Sequence, residues 1–129
     1  MAKGSALQTR QKAIVRRGDV FLVSFDPTIG HEIKKTRPAL VLQNDVGNEH
    51  SPLTIVAAIT SSISRFRYPV EVVVEPDKAN GLELRSAIRL DQIRTVDKRR
   101  LIKRLGSADA RTMREVDQAI MVSLGLVKL

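Results

Sequence analysis

A chain of 129 residues, 43% of them apolar, can fill one hydrophobic core and falls short of the length that usually divides into two domains. It has no cysteine, which excludes disulfides, thiolate metal sites and cysteine nucleophiles together and makes the cytoplasm the simplest address. The formal charge of +8 points to a polyanionic partner, while an aromatic set of Phe21, Phe25, Phe66 and Tyr68 argues against an extended base-stacking platform.

Residues 1–15, polar and without periodicity, read as a flexible basic leader, and residues 16–129 as the folded domain. The leader's only continuous apolar run, Ala13 to Val15, is too short for a signal-peptide core or a membrane span, so no targeting segment and no membrane partner is expected. From Gly18 onward the pattern changes. "DVFLVSF", "PALVLQN", "LTIVAAIT", "VEVVV" and "SAIRL" are short and rich in β-branched residues, and loop clusters such as "DVGNEHSP" and "EPDKANG" separate them. Five closely spaced strands predict a small antiparallel β-domain, a barrel or a strongly curved sheet, with Phe21 and Phe25 in its core. Asp97 can cap a short helical turn through Arg100, ahead of a brief strand around Ile102 to Leu105. The period then becomes 3.6. Ser107 is the expected N-cap of a C-terminal helix with Asp109 in its first turn, and Met113, Val116, Ala119, Ile120 and Leu124 share one face.

Two features raise the question of chemistry. Lys98, Arg99, Arg100, Lys103 and Arg104 join Arg94 in "RTVDKRRLIKR" against Asp97 alone, either as a phosphate-contacting surface or as a solvated basic face. The connection Asp26 to Thr36 exceeds the usual hairpin loop of about 2–5 residues, and long loops tend to be functional. It ends in "KKTRP", where Pro38 forces Arg37 out of the helical region and suits the start of a strand. Arg37 is thereby held on rigid backbone, where its planar fork can bond paired phosphate oxygens or tie down Glu32 or Asp45. His31 is the imidazole nearest this cluster and can accept a proton near neutral pH, or stand idle in solvent. Thr60 ends "LTIVAAIT", either as a β-branched strand terminus or as a neutral donor to a phosphate oxygen. Phe66, between Arg65 and Arg67, is a base-stacking side chain or a loop anchor. No P-loop, HExxH or Gly-x-Ser-x-Gly motif is present, and no acids stand at metal-ligand spacing, so neither a metal nor another cofactor is expected.

The blocks "RRGDVFLVSFDPTIGHEIKKTRPALVLQND", "SPLTIVAAIT" and "SAIRLDQIRTVDKRRL" resemble, in order, those of the MazF/PemK-type toxins of bacterial toxin–antitoxin systems. The resemblance runs from about Arg16 to Leu126. It implies an SH3-like small β-barrel with a C-terminal helix, a homodimer, and metal-independent cleavage of single-stranded RNA at short sequences. It places the catalytic arginine at Arg37 and the catalytic threonine at Thr60. The RNA-contacting loop falls on Ile29 to Thr36, with Gly30, His31, Glu32, Lys34, Lys35 and Thr36 as candidates, and the polar positions of "LDQIRT" are Asp91 and Gln92. Asn44, Ser61 and Arg65 complete the candidate RNA-contacting set. In the implied reaction a ribose 2′-hydroxyl attacks the adjacent phosphate, leaving 2′,3′-cyclic phosphate and 5′-hydroxyl ends. Arginine is a poor base, so the proton acceptor stays open among Arg37, His31 and water. The resemblance also implies a neutralising antitoxin, expected to be acidic and to compete with RNA for the basic groove. The alternatives are a CcdB-like toxin that inhibits DNA gyrase, and a non-catalytic SH3-like module that binds nucleic acid.

Overall fold

The computed structural model describes residues 14–66 and 68–128, so the expected leader lies outside the described residues except for its last two positions, as does Arg67. The elements run β1 (Asp19–Ser24), β2 (Thr36–Val41), α1 (Asp45–His50), β3 (Leu53–Thr60), β4 (Glu71–Val74), β5 (Ser86–Asp97), a 3₁₀ turn (Lys98–Arg100), β6 (Leu101–Ser107) and α2 (Ala110–Ser123). The strands form one sheet in the order β4-β5-β3-β2-β1-β6, every pair antiparallel. Among the described residues no helix is long and apolar enough to cross a membrane.

Strand alternation distributes the apolar side chains over both faces. Val20, Leu40, Ala57, Ile59, Ile88 and Leu90 join one cluster, which α2 covers with Val116 and Ala119. Phe21, Val23, Phe25, Ala39, Val41, Val56 and Ala58 join the other with Val96 and Leu101. Because both faces are covered, "LTIVAAIT" is apolar almost throughout instead of alternating. Each fully buried leucine or isoleucine, such as Leu40 or Ile59, contributes about 1.5–3 kcal/mol of hydrophobic stabilisation.

The sheet is not closed into a barrel. Its edges are β4 and β6, and a loop rather than a ladder joins them: Ser107 N–H donates to the Ala79 carbonyl at 2.8 Å. Glycine is required where the two backbones meet. A Cβ on Gly81, whose φ is +70°, would stand 2.1 Å from the Leu105 carbonyl oxygen, and one on Gly106 would stand 2.1 Å from that of Ala79. Asn80, buried at the centre of the loop, fixes its shape. Its Oδ1 accepts from the Asp77 and Leu82 N–H groups at 3.1 and 2.9 Å, and its Nδ2 donates to the Glu75 carbonyl at 2.9 Å.

Three expectations need correction. "DVGNEH" is a short helix and not a loop, capped by Asn44, whose Oδ1 accepts from Gly47 N–H at 2.7 Å. Buried Asn48 ties that helix down by accepting from Thr54 Oγ1 at 2.7 Å and donating to the Gln43 carbonyl at 2.9 Å. β5 continues seven residues past Leu90, held by its pairing with β3. The N-cap of α2 is Asp109, which accepts from Thr112 N–H at 2.8 Å, because Ser107 is still engaged as the last residue of β6. Asp97 does cap the 3₁₀ turn as expected, accepting from Arg99 N–H at 2.8 Å.

Candidate nucleic-acid interface

Arg37 and Thr60 lie at neighbouring ends of the paired strands β2 and β3. β2 and β3 pair Ala39 with Ala58, Leu40 with Ala57 and Val41 with Val56, and extending this register two residues places Arg37 opposite Thr60. Directly opposed residues in such a pair have Cα atoms about 4.5–5.5 Å apart. Arg37 is half-buried and donates through Nε to the Lys34 carbonyl at 3.2 Å, which leaves both Nη groups for a ligand. Neither Glu32 nor Asp45 binds it. Thr60 is 8% exposed and its Oγ1 accepts from Ser62 N–H at 3.1 Å, so the hydroxyl proton is left to donate.

The β1–β2 connection, residues 25–35, is anchored at its root. Phe25 N–H donates to the Lys35 carbonyl and Lys35 N–H to Asp26 Oδ1, both at 2.9 Å, with Lys35 in the left-handed region at φ 67°. Arg94 donates to the Phe25 carbonyl at 2.7 Å with its guanidinium 5.9 Å from the centre of the Phe25 ring, a cation–π contact. Arg100 donates to the carbonyls of Ser24 and Asp26. Glu32 Oε1 accepts from Ile29 N–H at 2.7 Å, curling the outer loop, where Gly30, His31 and Lys34 are exposed, as is Thr36 at the start of β2.

Two clefts are lined by residues of β2, β3 and the connections beside them, and Arg37 belongs to the second. One, of about 420 Å³, is lined by Phe25, Glu32, Ile33 and Ala58 and by Asp91, Gln92, Ile93 and Arg94 of β5, so it brings together three of the RNA-contacting candidates. Asp91 is already bound in a fork by Arg89, at 2.9 and 2.7 Å, which holds the Arg89 guanidinium protonated above its usual range; Gln92 has no such partner. The second cleft, of about 370 Å³, has Arg37 and Ser61 at its rim and is walled by apolar residues of β1, β2, β3 and β6 and by the 81–86 segment. Other candidates lie elsewhere. Asn44 sits beyond the opposite end of β2 from Arg37, with its side-chain oxygen committed to capping α1. Arg65 lines a third depression beside Phe66, Tyr68 and Glu115, where Phe66 is 80% exposed and anchors nothing.

The basic stretch of β5 and β6 turns out to be largely structural. Besides Arg94 and Arg100, Arg99 pairs with Asp97 at 3.0 Å and Arg104 with buried Asp19 at 3.2 Å. Lys98 is 6% exposed and donates to the Asn48 carbonyl, and burial lowers its pKa. Of its six cations only Lys103 has no partner among the described residues. The roles of Arg94 and Arg100 are not legible in the sequence, because they depend on which distant backbone carbonyl each one reaches. Among the described residues no three His, Asp or Glu side chains gather as metal ligands.

An antiparallel six-stranded sheet with a C-terminal helix, carrying an arginine near the start of β2 and a threonine at the end of the adjacent β3, defines a small mainly-β domain with a candidate phosphate-binding site. The chain belongs to the PemK-like, MazF-like toxin family of type II toxin–antitoxin systems, whose sequence profile matches residues 16–124. It is 45% identical over 114 residues to the endoribonuclease EndoA of Bacillus subtilis, a match covering 88% of this chain and 97% of that protein. Among solved structures it is similar to MazF of Deinococcus radiodurans, with 28% identity, a TM-score of 0.75 and coverage of 87% and 97% of the two chains. A MazE–MazF structure from the same organism matches with 29% identity and a TM-score of 0.70 over 88% and 98%.

Proposed function

We propose that this chain is a toxin endoribonuclease that cuts single-stranded RNA at short sequences, using Arg37 and Thr60 and no metal ion. What supports the reading is the register of β2 and β3, which, continued two residues, sets Arg37, whose Nη groups are uncommitted among the described residues, opposite Thr60, whose hydroxyl proton is left to donate. The 2′-hydroxyl gives up its proton to a base and its oxygen attacks the adjacent phosphorus, the P–O5′ bond breaks and the departing 5′-oxygen takes up a proton, giving a cyclic phosphate and a 5′-hydroxyl with no net gain or loss of protons. Arg37 stabilises the charge that develops on the non-bridging oxygens, and Thr60 donates to one of them. Lys34 and Lys35 position the backbone, and Gln92 is free to read a base edge. The 2′-hydroxyl is an internal nucleophile, so the reaction needs no metal-bound water. That a 45% identical relative is an endoribonuclease favours RNA cleavage over gyrase inhibition or passive binding.

The partner that holds the toxin in check is an acidic antitoxin laid over the basic groove, in keeping with the net charge and with the MazE-bound neighbour. The working form is a cytoplasmic homodimer, and the fold is an opened SH3-like barrel whose edges are bridged by the 79–81 loop. Mapping 5′ ends in RNA incubated with the purified protein tests the reading. Cleavage should persist in excess EDTA and stop when the scissile 2′-hydroxyl is replaced by hydrogen. Cutting of the 2′-deoxy substrate, or dependence on a divalent ion, would overturn the mechanism.

A further inference from the structure

The second cleft beside Arg37 has no role in the mechanism above. Its floor follows a cross-strand row: Lys103 of β6 pairs with Leu22 of β1, and Leu22 with Pro38 of β2, so all three side chains leave the same face of the sheet. Ile59, Leu82 and Leu105 add apolar surface, and the volume of about 370 Å³ falls within the range of about 300–1,000 Å³ typical of small-molecule sites. Two charged side chains line it without a partner among the described residues, Glu83 and Lys103. Glu83 is carried by the segment that Asn80 and Gly81 fix against β6, so its backbone is preset and no loop has to be ordered on binding.

We propose that this cleft is a base pocket for the nucleotide next to the scissile phosphate, in which Glu83 selects a base bearing an amino group and Lys103 holds a neighbouring phosphate. The proposal rests on the endoribonuclease reading and names a specificity determinant within it. Arg37 is among the residues that line the cleft, so a phosphate bound by its guanidinium lies next to the apolar walls. A carboxylate is an acceptor only. Guanine offers it N1–H and the N2 amino group on one edge, adenine and cytosine offer one amino group each, and uracil offers a single N–H flanked by two carbonyls that repel it. The same carboxylate argues against an acidic antitoxin segment as the occupant, since it would set like charges together in an apolar cleft.

Mapping cleavage sites in a random-sequence RNA pool with the wild type, Glu83→Gln and Lys103→Ala tests the idea, with circular dichroism to confirm that each is folded. The wild type should disfavour uracil at one position adjoining the cut, and Glu83→Gln should change the base ranking at that position by about tenfold while the preferences elsewhere persist. A merely structural role for Glu83 would slow cleavage evenly at all sites and leave the ranking intact. Lys103→Ala should weaken binding evenly across sequences and flatten its salt dependence. An unchanged ranking in Glu83→Gln overturns the pocket, and if that variant instead alters affinity for an acidic antitoxin peptide, the cleft is a protein-docking site. Failure of the folded wild type to cut any RNA would defeat the endoribonuclease reading and the pocket with it.

Discussion

Replacing Arg37 with alanine separates a catalytic arginine from a structural one. Of the five guanidinium N–H donors, the one on Nε is spent on the Lys34 carbonyl, and the four on the two Nη groups remain for phosphoryl oxygens. Losing a preorganised donor set of this kind lowers kcat by about 10²–10³-fold, or about 2.7–4 kcal/mol of transition-state stabilisation. The structural loss is one partly exposed hydrogen bond, about 0.5–1.5 kcal/mol, which leaves a domain of ordinary stability folded. Arg37→Lys should recover little activity, because one ammonium cannot bond the Lys34 carbonyl and clamp two phosphoryl oxygens together. Single-turnover cleavage at saturating enzyme isolates the chemical step, and urea unfolding followed by circular dichroism measures the structural cost. A folded Arg37→Ala protein that cleaves at near the wild-type single-turnover rate would refute the assignment.

Lys34→Ala should act in the opposite sense, weakening RNA binding and reducing the slope of log affinity against log salt by about 0.7, with little change in the single-turnover rate; fluorescence anisotropy across a salt series checks it. Leu40→Ala removes a fully buried side chain from the larger core cluster and should cost about 2–5 kcal/mol in denaturant unfolding. Asp109→Ala should lower the melting temperature at neutral pH. Its bond from the Thr112 backbone holds the Asp109 pKa below the usual carboxylate range, so the cap stabilises the fold above about pH 4 and that advantage is lost as the pH falls further. Melting curves of the two proteins should therefore converge in acid.

How much of this was legible depended on whether a residue's role is local. β3 was read to its ends, Leu53 and Thr60, because a long apolar run bounded by loop residues has few other outcomes. Pro38 pointed to the start of a strand, but β2 begins two residues earlier at Thr36, so Arg37 already lies within the strand beside its root. The second half of β5 escaped notice because "DQIRTVD" lacks the apolar character of a core strand: Asp91, Gln92 and Arg94 line a cleft instead, and pairing with β3 supplies the stability. α1 has no 3.6-residue apolar period and contains Gly47, so only its cap and the buried Asn48 account for it. The basic stretch was the least readable part. Charge counting cannot tell Lys103, which has no partner among the described residues, from Arg94 and Arg100, whose donors are spent on backbone carbonyls far away in sequence.

The pairing of β1 with β6 sets the order in which the molecule can come into being. Asp19 and Ser107 are register partners, so the first strand to be made must wait for the last before it gains its outer neighbour. Contacts so far apart in the chain close late and make folding slow compared with local structure. A nascent chain that ends before the 3₁₀ turn also lacks Arg100, one of the two arginine clamps on the β1–β2 connection, and Lys103 and Leu105 of the second cleft. The candidate surface around Arg37 is therefore completed only once β6 has been made, and it is absent while β1 to β5 are being translated.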